Sequence, residues 1–222
     1  MKSIVYGAIA VVAAAAGFAI YRFGIEPHVA AQMPAAVATP SAQSQAQSAP
    51  PQAEGPPTEL PDFSLQDRDG NLRSIRSWTG KSMIVNFWAT WCAPCRREIP
   101  LLKTIQQNHG PEGFQVVGVA VDFRDDVLKY ATDMSIDYPI LIGEEDGLEA
   151  VNKFGLGSLG FPFTVFTDNQ GRIVATHLGE LTQPQSEVLL GAVGQVNRGE
   201  LTPMAARAVA AKQLAQMEPA ES

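Results

Sequence analysis

The chain holds two cysteines, and they stand three apart as Cys92-Ala93-Pro94-Cys95. A thiolate is a soft nucleophile that attacks disulfide sulfur and also binds soft metal ions. Three uses of the pair are therefore open. As a structural disulfide it would close a very short loop, which removes little entropy from the unfolded chain. A chain of 222 residues is also long enough to build a core without such a staple. As a metal site it is half a ligand set: two thiolates suit Cu(I), and a third donor is needed. His109, near a helix end, and His177, on a strand, show no metal-ligand spacing to the cysteines. As a redox pair it needs a position that stabilises one thiolate and keeps the second thiol in reach.

The flanking sequence supplies that position. Met83-Ile84-Val85-Asn86-Phe87-Trp88 is a short apolar run that reads as a buried strand. The chain turns through Ala89-Thr90-Trp91, and Pro94 to about Asn108 reads as a helix with Ile99, Leu102 and Ile105 on one face. The pair thus sits between a strand and the first turn of a helix. Unpaired N–H groups and the helix dipole favour an anion there. Pro94 fits the first turn because it has no N–H to leave unbonded. Cys92, at the exposed end, is the attacking sulfur; Cys95, one turn in, is the shielded one that resolves the mixed disulfide. Arg96 and Arg97 come next, either adding positive potential or simply facing solvent.

The remaining elements alternate. Phe63-Ser64-Leu65, Asp69-Gly70-Asn71 and Leu72 read as a hairpin. Phe114 to Val121 and Tyr138 to Ile142 are strands; Asp125 to Ser135 and Gly147 to Phe154 are helical. Thr164 to Thr167 and Arg172 to His177 form a hairpin around Asp168-Asn169-Gln170-Gly171. Thr182 caps a last helix with Pro184 in its first turn, running to about Asn197. Strands alternating with helices, then a hairpin and a helix, predict a mixed α/β sheet with helices on both faces.

The string Asn86-Phe87-Trp88-Ala89-Thr90-Trp91-Cys92-Ala93-Pro94-Cys95-Arg96-Arg97-Glu98 resembles the active-site segment of the thioredoxin superfamily, and most of all its membrane-anchored TlpA/ResA-type branch. Gly160-Phe161-Pro162-Phe163-Thr164 resembles that family's cis-proline loop. The resemblance covers roughly Pro57 to Gly199. It implies a thioredoxin-like fold, with Asp122 to about Gly147 as the helix–strand insertion of this branch. It implies a cis Pro162 facing the cysteines and a Phe161 backbone that bonds a substrate chain, with Trp91 and Pro94 shaping the site. It also implies protein-disulfide reductase activity without a cofactor, on clients such as apocytochrome c thiols or the cysteines of a copper site. Electrons would come from a thiol protein in the membrane.

One departure stands out. Cytosolic thioredoxins carry a buried Asp where this chain has Asn86, which cannot titrate. Either another carboxylate substitutes, with Asp122 at the end of the second strand as the candidate, or the pair works without one. Asp122 is equally suited to capping the next helix. Two rivals to reduction fit the motif less well. Copper chaperones of this fold use a wider Cys-X-X-X-Cys spacing. Peroxiredoxins use Thr-X-X-Cys, whereas the residue three before Cys92 is Ala89 and Thr90 is out of register.

Residues 1–25 read as an N-terminal membrane anchor or a signal peptide. Ile4 to Phe23 is apolar apart from two glycines, two tyrosines and Arg22, close to the length of about 20 residues that spans a bilayer. Both readings export the rest of the chain, in a bacterium to the periplasmic or extracytoplasmic side of the cytoplasmic membrane. Residues 26–57, rich in Ala, Pro, Gln and Ser, form a linker. Residues 58–199 are the thioredoxin-like domain, and residues 200–222 a tail that Thr202 and Pro203 start as a helix. With 16 basic against 23 acidic residues the net charge is −7, which argues against nucleic acid as a partner and provides no polybasic patch for anionic lipid.

Overall fold

The computed structural model describes residues 56–155 and 160–217. The expected anchor and nearly all of the linker lie outside the described residues; among those described, no helix is long and apolar enough to cross a membrane. The strands are β1 (Ser64–Gln66), β2 (Leu72–Ser74), β3 (Ser82–Trp88), β4 (Phe114–Val121), β5 (Ile140–Gly143), β6 (Phe163–Thr167) and β7 (Ile173–Leu178). The α-helices are α1 (Ala93–His109), α2 (Arg124–Asp133), α3 (Glu145–Asn152), α4 (Gln183–Asn197) and α5 (Pro203–Ala215). One sheet runs in the order β2-β1-β5-β4-β3-β6-β7. Strands β3, β4 and β5 are parallel, so their carboxyl ends point the same way; β6 and β1 flank them antiparallel.

The period-2 alternation of β3 decides which residues meet which helix. Ile84 and Trp88 join the cluster with Ile99, Leu102 and Ile105 of α1, Val127 of α2, and Leu189 and Val193 of α4. Met83, Val85 and Phe87 join the opposite cluster with Phe63, Leu65, and Ala150 and Val151 of α3. Asn86 therefore shares the α1 face, fully buried. Strand β4 divides in the same way, Val116 and Ala120 against Val117, Val119 and Val121.

Several element boundaries differ from the expectations above by one to a few residues, and one short element is added. Helix α3 starts at Glu145 instead of Gly147, because two acids in its first turn complement the helix dipole. Strand β5 starts at Ile140, after Pro139. A short 3₁₀ turn, Ile75–Trp78, comes after β2, started by the Ser74 hydroxyl accepting from the Arg76 N–H at 3.1 Å. The inserted segment becomes α2 and β5, and β5 lies between β4 and β1.

The tail helix α5 packs on the body through buried Ala206 and Ala210. Its Arg207 donates to the carbonyl of Ile173 at 2.9 Å. That carbonyl lies on the edge strand β7 beside the irregularity in its pairing with β6, where ladder bonds are interrupted. The Thr58 carbonyl accepts from the Ile173 N–H at 2.8 Å. Both ends of the described chain thus close part of the edge that β7 would otherwise leave open.

Gly118 on β4 is a steric requirement of this packing. A Cβ there would fall 3.0 Å from Trp88 Nε1 and 3.1 Å from Tyr138 Cε2, both on fully buried side chains. Gly118→Val is expected to destabilise the fold by about 1–3 kcal/mol, as overpacking does. A lower denaturant midpoint with an unchanged slope would show it, and a midpoint at or above the parent's would contradict it.

Candidate functional site

The carboxyl ends of the three parallel strands converge on one rim. Strand β3 delivers Trp91 and Cys92, β4 delivers Asp122 and Phe123, and β5 delivers Glu144 and Glu145. In open α/β sheets this is where ligands bind. Cys92 is the N-cap of α1, and its sulfur accepts from the Cys95 N–H at 3.3 Å. The two cysteines are joined in a disulfide, with Cα atoms 5.3 Å apart. Cys95 is fully buried and Cys92 is 5% exposed. The structure therefore captures the oxidised state of a pair that can take up two electrons. On reduction, the Cys95 N–H that meets the Cys92 sulfur, together with the helix dipole, would favour its thiolate.

Trp91 lies beside the pair, 69% exposed, with its ring centroid 6.1 Å from that of Phe161. The Phe161–Pro162 bond is cis, and the Pro162 carbonyl accepts from the Gly179 N–H at 2.8 Å, which ties this loop to the end of β7. Pro94 occupies the first turn of α1. The two arginines have partners: Arg97 pairs with Glu180 at 2.5 Å, and the Arg96 guanidinium sits 5.8 Å from the Tyr130 ring centroid. His109 Nδ1 lies 2.7 Å from Glu112, and His177 Nε2 lies 3.3 Å from the Glu180 carbonyl.

Asp122, the carboxylate singled out from the sequence, is placed at the rim and bonded to it. Its Oδ2 accepts from the Thr90 N–H at 2.9 Å and the Thr90 hydroxyl at 2.5 Å, and its Oδ1 accepts from the Phe123 N–H at 2.8 Å. It fixes the loop that leads into Cys92. It does not cap a helix, since Phe123 is the residue at the N-cap of α2.

The buried carboxyl on the face of Asn86 is instead Glu98, which sequence reasoning misses because it closes the charged string Arg96-Arg97-Glu98. It is one turn past Cys95 on the same face of α1 and only 1% exposed. Oε1 accepts from Asn86 Nδ2 at 2.6 Å, and Oε2 accepts from the Leu181 N–H at 2.7 Å. Asn86 also donates to the Thr164 hydroxyl at 2.9 Å. Burial pushes the Glu98 carboxyl up to about 7, helped by the negative charge of Glu180 and opposed by the bonds from Leu181 and Asn86. A signal exists: Cys95, Glu98, Ile99 and Leu102 fall at helical spacing, so Glu98 belongs to the apolar stripe.

A cysteine pair capping a helix after a central strand, with a cis-proline loop alongside, defines a thioredoxin-fold dithiol oxidoreductase. Comparison with known proteins agrees. Residues 56–190 match the Redoxin family, and the chain belongs to it. It is 32% identical over 124 residues to the thiol-disulfide oxidoreductase ResA of Geobacillus thermodenitrificans, covering 55% of this chain and 69% of that protein. Among solved structures it resembles a thiol:disulfide interchange protein of Chlorobium tepidum, with 33% identity and a TM-score of 0.55 over 64% of this chain and 99% of that one. It also resembles a secreted thiol-disulfide isomerase of Corynebacterium glutamicum, with 29% identity and a TM-score of 0.55 over 61% and 85%. The chain is a thiol-disulfide oxidoreductase of the TlpA/ResA type.

The raised Glu98 carboxyl has a sign consequence for stability. Folded Glu98 keeps its proton to about pH 7, whereas in the unfolded chain it ionises near 4.5. Between those values the folded state binds more protons, so stability falls as pH rises. The difference corresponds to on the order of 3 kcal/mol. Glu98→Gln is expected to remove that decline, so that urea midpoints at pH 5 and pH 8 lie closer together than in the parent chain. Equal pH dependence in the two proteins would rule the assignment out.

Proposed function

We propose that this chain reduces disulfides in exported client proteins while tethered to the outer face of a bacterial cytoplasmic membrane. The observation that carries the reading is the asymmetry of the pair. Cys92 sits at the helix tip beside the exposed Trp91–Phe161 platform, while Cys95 is sealed in the interior one turn from a carboxyl that titrates near neutrality. A Cys92 thiolate attacks one sulfur of a client disulfide, forming a mixed disulfide and releasing the other client sulfur as a thiolate that takes up a proton. Glu98, partly ionised near neutral pH, accepts the proton of the Cys95 thiol. The Cys95 thiolate then attacks Cys92 Sγ, the second client sulfur leaves, and the Cys92–Cys95 disulfide remains. Two electrons have passed from the dithiol to the client. Pro162 and the Phe161 backbone hold the client chain against Cys92. Asp122 keeps the entry loop in place and is not in the proton path.

The pair must then be reduced by another thiol protein, which the membrane location supplies. The apolar stretch Ile4 to Phe23 supports that location, as does the secreted relative from Corynebacterium. The likeness to the TlpA/ResA-type branch supports apocytochrome c thiols or the cysteines of a copper site as clients.

Cys92→Ser is expected to abolish reduction of insulin by the full chain. Cys95→Ser is expected to accumulate a client mixed disulfide on Cys92, visible as a non-reducing band shift. The Cys92–Cys95 reduction potential, set against thiol buffers, should fall at or below about −270 mV. A value near −120 mV would make the chain a disulfide donor and remove the rationale for those clients.

A further inference from the structure

Arg97 comes two residues after Cys95 in the first turns of α1, and the chemistry proposed above gives it no part. Its guanidinium nevertheless has a fixed partner. Nε and a terminal nitrogen both donate to Glu180 Oε2, at 2.8 and 2.5 Å. Glu180 directly precedes Leu181, whose N–H donates to Glu98 Oε2 at 2.7 Å. Two neighbours on α1, Arg97 and Glu98, therefore grip two neighbours in the loop between β7 and α4, Glu180 and Leu181. The inner grip is buried. The outer one is charged and partly in water, with its side chains 60% and 33% exposed.

A carboxylate is thereby fixed one residue from the bond that holds Glu98. Like charges at short range disfavour each other's ionised forms, so Glu180 holds Glu98 toward its neutral form and Arg97 opposes that effect. The other groups around Glu98 bring no fixed charge. Asn86 on β3 and Thr164 on β6 offer an amide and a hydroxyl. Tyr138, just before β5, is buried, and burial and then the charge of Glu98 push its hydroxyl up, so it stays neutral. Helix α4 adds only neutral residues to the buried cluster. His177 on β7 places Nε2 3.3 Å from the Glu180 carbonyl, on the same peptide unit whose N–H meets Glu98. Cys95, one turn away on α1, is the proton donor.

We propose that Arg97 and Glu180 are positioning residues of the reductase: the charge of Glu180 disfavours ionised Glu98, Arg97 offsets that charge, and their balance fixes how readily Glu98 accepts the Cys95 proton. Both act through Glu98 and not on the sulfurs. The proposal rests on the reading of Glu98 as the proton acceptor.

The reduced full chain with dipyridyl disulfide, a neutral chromogenic reagent, tests it. The Cys92 thiolate attacks one reagent sulfur and expels one thiopyridone. Cys95 gives its proton to Glu98, its thiolate attacks Cys92 Sγ and expels the second thiopyridone, and the Cys92–Cys95 disulfide remains. The second release is intramolecular, so its rate against pH follows the ionisation of Glu98, with a midpoint in the parent chain expected near pH 7. Arg97→Gln leaves Glu180 uncompensated and is expected to move the midpoint up by about 0.5 pH unit, and Glu180→Gln to move it down by about as much. Below the midpoint these displacements read as a second release about threefold slower and about threefold faster than the parent's. Both should shrink as salt is added, because water and ions reach the pair. Arg97→Lys keeps the charge and should keep the parent's midpoint. A purely mechanical latch predicts otherwise: either Gln variant would free the Leu181 N–H from Glu98 and move the midpoint upward. Displacement of both Gln variants in one direction, no displacement in either, or an Arg97→Lys midpoint displaced as far as that of Arg97→Gln overturns the proposal. The same opposite displacements are expected in a His177→Gln background, and their disappearance there overturns it too, since the imidazole would then be their source. Glu98→Gln separates the two readings and is expected to flatten the profile around pH 7. If it does while both Gln variants coincide with the parent, only the role of Arg97 and Glu180 falls; if the profile of Glu98→Gln is unchanged, the proton-acceptor reading falls with it.

Discussion

Removing a carboxyl group from water costs several kcal/mol unless it stays neutral or finds donors. Glu98 meets that cost with bonds from two places far apart in sequence, Asn86 on β3 and the Leu181 N–H before α4. Asn86 is bonded in turn to Thr164 on β6. Glu98 and Asn86 together thereby tie α1, strands β3 and β6, and the entry to α4. Cys95 lies one turn away on the same helix face, so its surroundings are set by this network. Asn86 Oδ1 is buried without a partner. Rotating that amide would present an acceptor to the protonated acid in place of a donor to the carboxylate. An amide is thus compatible with both protonation states of Glu98, which a second buried carboxylate at this position would not be, because two ionised neighbours repel.

Much of this architecture is legible in the sequence because it obeys local rules. The apolar run of β3, the proline in the first turn of α1, and the Asp168–Gly171 turn each have a short-range physical cause. In that turn, Asp168 Oδ1 accepts from the N–H groups of Gln170 and Arg172, both at 2.9 Å. The position of Cys92 at a helix tip comes from the strand-turn-helix order alone. Glu98 escapes for a different reason. In sequence it ends a charged string, and only its register with Cys95, Ile99 and Leu102 marks it as inward-facing. Asn86 points to a missing carboxylate, and the next strand offers Asp122 as the obvious substitute. A buried carboxyl bonded to Asn86, that of Glu98, sits on the helix that β3 packs against.

The rim at the strand ends lies further out of reach of the sequence. Its residues come from four stretches, at Trp91, Val121–Phe123, Glu144–Leu148 and Phe161. They meet only because β3, β4 and β5 are adjacent and parallel, and strand order is not encoded in any single window. The stretch from Asp122 to Gly147 is recognisable as an insertion by resemblance. Nothing in it shows that β5 pairs between β4 and β1 and so delivers Glu144 to the same rim as Cys92.

The parallel arrangement also separates two tasks. The proton transfer proposed above uses Glu98, held by Asn86 and Leu181 on the α1 face. The client contact proposed above uses Pro162 and the Phe161 backbone, at the rim beside Trp91. The two sets share no residue. Asp122 is the link between the rim and the entry loop, since its carboxylate holds Thr90 two residues before Cys92. A change at Asp122 would loosen the loop that both tasks depend on.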